Sequence, residues 1–149
     1  MLETEELFTD MVYGTYEHTL DAKGCVFIPA KIKDYLGDTF VMTKSMDPCI
    51  SVYSMDMWKK YVAKLSALPS MKARGIQRFV FASAVEASPD TQGRVLIPQM
   101  LREYARLEKE ITIIGNNDHA EIWNAAKYVE FIEKQDVGEM VETLMELGF

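Results

Sequence analysis

Cysteine and histidine are scarce in this chain of 149 residues: Cys25, Cys49, His18 and His119 are all it has. Two thiols are too few for a disulfide framework and too widely spaced for a C-x-x-C metal or redox motif, so reduced thiols are expected. The two histidines stand in no H-E-x-x-H or similar metal-ligand spacing. His18 sits on an expected strand beside Glu17, and His119 in an expected turn after Asp118. The eight glycines are never close enough for G-x-G-x-x-G or a P-loop, so no phosphate-cradling loop is visible, and G-x-S-x-G is absent. No run approaches the roughly 18 apolar residues of a membrane span. The opening MLETEELFTD lacks the basic and apolar regions of a signal peptide, so a cytoplasmic protein is expected. A nucleophilic cysteine, or Asp21 and Asp90 as a catalytic carboxylate pair, would each need geometry that the spacing does not supply. The reading is therefore of a protein that is not an enzyme.

What is present is a globular balance, 48% hydrophobic and 26% charged residues, with an uneven distribution of charge. The net charge of −7 argues against nucleic acid until it is mapped. Residues 1–20 hold five acids and no lysine or arginine, and residues 129–149 hold six acids against Lys134, whereas the centre is mildly basic. Local charge decides what a surface can bind, so DNA stays open as a partner.

The chain also repeats itself. Shifted by 69 positions, EHTLDAKGCVFIPAKIKDY (17–35) falls on EASPDTQGRVLIPQMLREY (86–104), with seven identities in 19 pairs. Each copy reads as strand, turn, strand, short helix, strand, turn, strand, long helix. In the turns Asp21 and Asp90 can accept hydrogen bonds from nearby backbone, and Gly24 and Gly93 can take positive φ. Pro29 and Pro98 suit the first turn of short helices running to about Gly37 and Arg106. Ser54 and Asn124 suit helix N-caps. The stripes Trp58, Tyr61, Val62, Leu65 and Tyr128, Val129, Ile132 predict long helices that each bury one face. Pro69 is expected to end the first of them, and Gly75 to interrupt the helix that follows.

Short strands with one apolar face cannot bury it alone, so the two copies are expected to pair face to face and close a small barrel, the helix stripes packing on its outside or on another subunit. The fold class is therefore mainly β with helices (α+β). Residues 1–149 are read as one domain of two pseudo-repeats, 13–68 and 83–134. Lys23 stands at one hairpin tip and Arg94 directly after the other, with Lys31, Lys33, Arg102 and Arg106 on the adjoining short helices. Taken alone, such cations are most simply a solvated face; taken with the turns, they suit contact with phosphate or a guanine edge.

The runs GTYEHTLDAKGCVFIPAK (14–31), DTQGRVLIPQMLREYARLEKEITIIG (90–115) and EIW (121–123) resemble the MraZ family, whose members carry two copies of a module related to the AbrB DNA-binding fold. The resemblance covers about residues 13–133. It implies an AbrB-like swapped-hairpin β-barrel and a nucleoid-associated transcriptional regulator. Such a protein would assemble as a homo-oligomeric ring, bind short direct repeats upstream of the division and cell-wall genes, usually as a repressor, and use no cofactor. The repeated Asp-x-x-x-Arg at the hairpin tip is the implied DNA surface: Asp90, Gly93 and Arg94 in the second copy, Asp21 and Gly24 in the first. There Cys25 replaces the arginine and Lys23 compensates only in part. The alternative is a ring-forming interaction scaffold whose acidic ends recruit a partner and whose DNA binding is weakened.

Overall fold

The structure, a computed structural model, describes residues 11–149. Four of the acids counted at the N-terminus, Glu3, Glu5, Glu6 and Asp10, lie outside the described residues. The first repeat supplies β1 (Val12–Thr19), β2 (Cys25–Phe27), α1 (Ala30–Leu36), β3 (Phe40–Lys44), β4 (Ile50–Ser54) and α2 (Met55–Ser66). After α3 (Ser70–Ser83), the second supplies β5 (Val85–Ala87), β6 (Arg94–Leu96), α4 (Gln99–Tyr104), β7 (Glu110–Asn117), β8 (Ala120–Asn124) and α5 (Ala125–Glu133), and α6 (Val137–Glu146) follows. The expected order of elements is thus observed in both copies.

The pairing is exchanged between the copies. One antiparallel sheet runs β1-β7-β8-β4-β3-β5, and β2 pairs with β6 as a separate ribbon. Only the β3-β4 and β7-β8 hairpins stay within a repeat; β1 pairs with β7, β5 with β3, β2 with β6 and β4 with β8. The α+β class holds, but hydrogen bonds do not close the sheet into a barrel, because β1 and β5 end it. The ribbon packs over it instead, sending Val26 and Val95 into a core with Phe40, Met42, Ile50, Val52, Ile111, Ile113 and Ile122. Each such side chain, fully buried, contributes about 1.5–3 kcal/mol of transfer free energy. Two tyrosines at equivalent positions tie the exchange: the Tyr35 hydroxyl donates to the Asp118 carbonyl (2.9 Å) and the Tyr104 hydroxyl to that of Ser45 (2.6 Å), each reaching the other repeat's hairpin turn.

The helix ends follow local chemistry. Ser54 Oγ accepts from Met57 N (3.2 Å) and Asn124 Oδ1 from Lys127 N (3.1 Å), as their sequence positions suggested. Pro29 and Pro98 are N-cap residues, one place before the first helical turn. Pro69 likewise opens α3 rather than closing α2, which ends at Ser66. Gly75 does not interrupt α3. Its helical cost of about 1 kcal/mol is outweighed by tertiary contact, with Ala73, Val80 and Ser83 buried and Thr43 Oγ1 donating to the Val80 carbonyl at 2.7 Å. In α5 the expected burial is only partial: Tyr128 and Phe131 pack on Trp123, while Val129 and Ile132 are exposed. Among the described residues, no helix is long and apolar enough to cross a membrane.

Candidate nucleic-acid interface

Two turns of one design lead into the ribbon. Asp21 Oδ1 accepts from the backbone N–H of Lys23 and of Cys25, both at 2.9 Å, and Asp90 Oδ1 accepts from Gln92 and Arg94 at the same distance. Each turn closes with reciprocal main-chain bonds, Asp21 N to Cys25 O and Gly24 N to Asp21 O, matched by Asp90 N to Arg94 O and Gly93 N to Asp90 O. The chain can follow this path because Gly24 and Gly93 take φ of +90° and +84°, where a side chain would be strained. The backbone N–H of Cys25, with help from Lys23 and the Arg94 charge, holds the Asp21 carboxyl below its ordinary range. The Arg94 N–H, the Gln92 N–H and the Arg94 guanidinium do the same for Asp90. Both carboxylates are fixed as acceptors for the backbone, which accounts for them without catalysis.

The ribbon register sets the two turns head to tail, Cys25 opposite Leu96 and Phe27 opposite Arg94. Side chains alternate along a strand, so Val26 and Val95 point inward while Cys25, Phe27, Arg94 and Leu96 share the outer face. Phe27 and Leu96 are exposed there, at equivalent positions of the two repeats. Arg94 Nε donates to Asp90 Oδ2 at 3.2 Å, an exposed pair that aims the guanidinium more than it stabilises the fold. Of the residues singled out in the sequence, Asp21, Lys23, Gly24, Asp90, Gly93 and Arg94 all lie in these two turns, with Lys23 exposed at its tip. Lys31 and Arg106 are exposed, whereas Lys33 and Arg102 are half-buried. The outward pair Phe27 and Leu96 carried a signal that was there to be found: each alternates with an inward valine in the repeated V-F/L-I-P stretch.

His119 belongs to a different cluster. Its Nδ1 lies 2.7 Å from Asp118 Oδ1 and its Nε2 3.0 Å from Glu121 Oε2, so the protonated ring donates to a carboxylate from both nitrogens, and the ring stacks on Tyr53. Burial disfavours the imidazolium, but the bonds to Glu121 and Asp118 outweigh it and raise the pKa above its ordinary value. Burial likewise opposes the Glu121 charge, and His119, Trp123 and Asn116 together outweigh it and lower that pKa. A raised histidine pKa stabilises the fold fully below about 6.5, and that contribution is lost as pH rises through the folded value. Between pH 6 and 9 the melting temperature of the parent should therefore fall relative to that of His119→Gln, and thermal melts across that range test it. Cys49 is buried, which pushes its thiol pKa up and leaves it inert. Among the described residues, no group of three or more His, Cys, Asp or Glu side chains is placed to hold a metal.

Comparison with known proteins gives one consistent result. The family described as "MraZ protein, putative antitoxin-like" matches the chain twice, over residues 11–79 and 80–144. The chain is 49% identical over 142 residues to a protein of Thermoanaerobacter pseudethanolicus, covering 93% of this chain and 99% of that one. It is 45% identical over 141 residues to one of Clostridium acetobutylicum and 43% identical over 142 residues to one of Acetivibrio thermocellus, with the same coverage. Each of these relatives is named transcriptional regulator MraZ.

Proposed function

The chain belongs to the MraZ family, and we propose that it is a sequence-specific, DNA-binding transcriptional regulator that presents the β2-β6 ribbon and its two turns to duplex DNA. The observation that carries this reading is the outer face of the ribbon: a guanidinium held in place by Asp90, with exposed apolar side chains on either strand. A two-stranded ribbon fits the major groove of B-DNA. There an arginine can donate two hydrogen bonds to guanine O6 and N7, and apolar side chains can meet thymine methyl groups. The names of the relatives support regulation as the outcome of that contact.

The finer reading is of a cytoplasmic, nucleoid-associated repressor of the division and cell-wall gene cluster that binds direct repeats upstream of it as a homo-oligomeric ring. One ribbon makes few contacts, and several ribbons meeting tandem repeats can raise avidity by about 10²–10⁴-fold where the spacing fits. Self-association is supported by exposed apolar side chains on two helices, Val129 and Ile132 of α5 and Val137, Met140, Val141 and Leu144 of α6. The test is a gel shift of the full chain on the upstream fragment of its own division gene cluster against a scrambled duplex, with light scattering for assembly size. Equal binding to both duplexes would overturn the sequence-specific reading, and a monomer at micromolar concentration would overturn the ring.

A further inference from the structure

The two turns share one design but not one cation. Arg94 follows Gly93, whereas Cys25 follows Gly24, so by sequence the first turn has no guanidinium at its base. The fold brings one there. Arg102, on α4 of the second repeat, donates from Nε to the Ile97 carbonyl at 2.8 Å, and the N–H of Ile97 in turn donates to the Gly24 carbonyl at 2.9 Å. The arginine is thus fixed to the rung of the ladder that holds the first turn.

It also lies directly on that turn. A Cβ placed on Gly24 would sit 2.7 Å from Arg102 Cζ, 2.8 Å from Nε and 2.9 Å from Nη1, so three atoms of the guanidinium cover the glycine face and bury it. The same position at Gly93 meets no cation; its nearest neighbour is Phe27 Cδ1 at 4.0 Å. Lys33, the counterpart of Arg102 in the repeat, has no planar head to lay on a glycine. Among the described residues Arg102 uses only Nε, and its Nη groups point to no protein acceptor within hydrogen-bond distance. Arg102 lines an open groove of about 560 Å³ that reaches Leu20, the residue before the first turn, and is lined also by Gln99, Arg106, Glu103 and Glu108. Glu103 is engaged by Gln99 Nε2 at 2.9 Å rather than by Arg102.

We propose that Arg102 is the DNA-contacting cation of the first turn, lent by the second repeat in place of the arginine missing at position 25, and that its Nη groups take a backbone phosphate there. The proposal rests on the reading of the ribbon as the DNA surface. Each turn then carries one guanidinium, Arg94 by its own sequence and Arg102 by the exchange of strands. Gly24 is required twice, for its positive φ and for the seat it gives the guanidinium.

The experiment measures fluorescence anisotropy of a labelled duplex, enriched by the full chain from a random-sequence pool, over a range of salt concentrations. Arg102→Gln should weaken binding about tenfold for each engaged subunit, on the enriched and on a scrambled duplex alike. It should also make the slope of log affinity against log salt shallower by about 0.9 for each phosphate that is no longer neutralised. Cys25→Arg placed in that background should restore both, and Arg102→Lys, which keeps the charge and loses the fork, should keep the slope. Where the glutamine variant is unstable, Arg102→Met, which keeps the apolar stem and removes the charge, decides the matter by the same loss or retention of slope. An unchanged slope in a folded Arg102→Gln of parental assembly size overturns the proposal, as does weaker binding that Cys25→Arg does not restore, since that marks a purely structural role. Arg94→Ala separates the two readings: if it loses binding while Arg102→Gln does not, this proposal alone falls, and if neither loses binding the ribbon is not the DNA surface.

Discussion

Arg94→Ala is expected to weaken binding to repeat-containing DNA by about 1–3 kcal/mol for each engaged subunit, the largest loss for any single side chain of the ribbon. The side chain is part-exposed, and Asp90 Oδ2 holds its Nε at 3.2 Å, so the fork is aimed before the duplex arrives and little rotamer entropy is lost on binding. Its partner across the ribbon is Phe27, and the inward Val95 carries the packing, so removing the guanidinium leaves the core intact. The variant should therefore melt close to the parent and assemble to the same size while losing affinity in gel shift or anisotropy. Where several subunits bind at once, the per-site losses multiply. Cys25→Ala, on the same outer face, should change affinity little, because a thiol is a weak donor. Parental affinity in a folded, assembled Arg94→Ala would take the second turn off the DNA surface, and with parental affinity in Arg102→Gln as well it would favour the interaction-scaffold alternative.

The second large effect is expected on assembly. In α6, Val137, Met140, Val141 and Leu144 fall at i, i+3, i+4 and i+7, all are exposed, and the helix buries no residue of its own. A glutamate in the middle of a buried subunit contact is costly, whereas on a solvated helix it is nearly neutral. Leu144→Glu should leave helix content and melting of the fold near the parental values and lower the mass measured by light scattering. Binding to tandem repeats should then fall by about 10²–10⁴-fold, while binding to a single repeat hardly changes. Parental mass in this variant would place the subunit contact elsewhere.

What could be read in advance was whatever local chemistry determines. The Asp-x-x-Gly turns, the Ser54 and Asn124 caps and the two-copy order of elements depend on residues close together in sequence, and all are observed. What could not be read depends on partners distant in sequence. Nothing in the composition of β1 says that it will pair with β7 rather than with a strand of its own repeat. Gly75 carries a helix-weakening signal that the burial of Val80 and Ser83 against β3 overrides. Val129 and Ile132 have helical periodicity, which reports an apolar face but not whether the same chain covers it. Of the candidate site, the geometry of the turns was legible and the placement of Arg102 over Gly24 was not, because it follows from the pairing of β2 with β6.

The exchange of strands also bears on descent. Every pairing between the repeats has a counterpart under a pseudo-twofold axis, down to the two tyrosine hydroxyls that cross over to the opposite hairpin. A single repeat could satisfy the same contacts only as a symmetric dimer, in which both turns are encoded once and must be identical. Joining two repeats through α3 removes that constraint. Each turn then answers to its own codons, so one can keep its arginine while the other takes a cysteine. The outer face of the ribbon becomes directional, with unlike halves at its two ends. A directional reader can follow repeats that all point the same way along DNA, whereas a symmetric one is matched to palindromes.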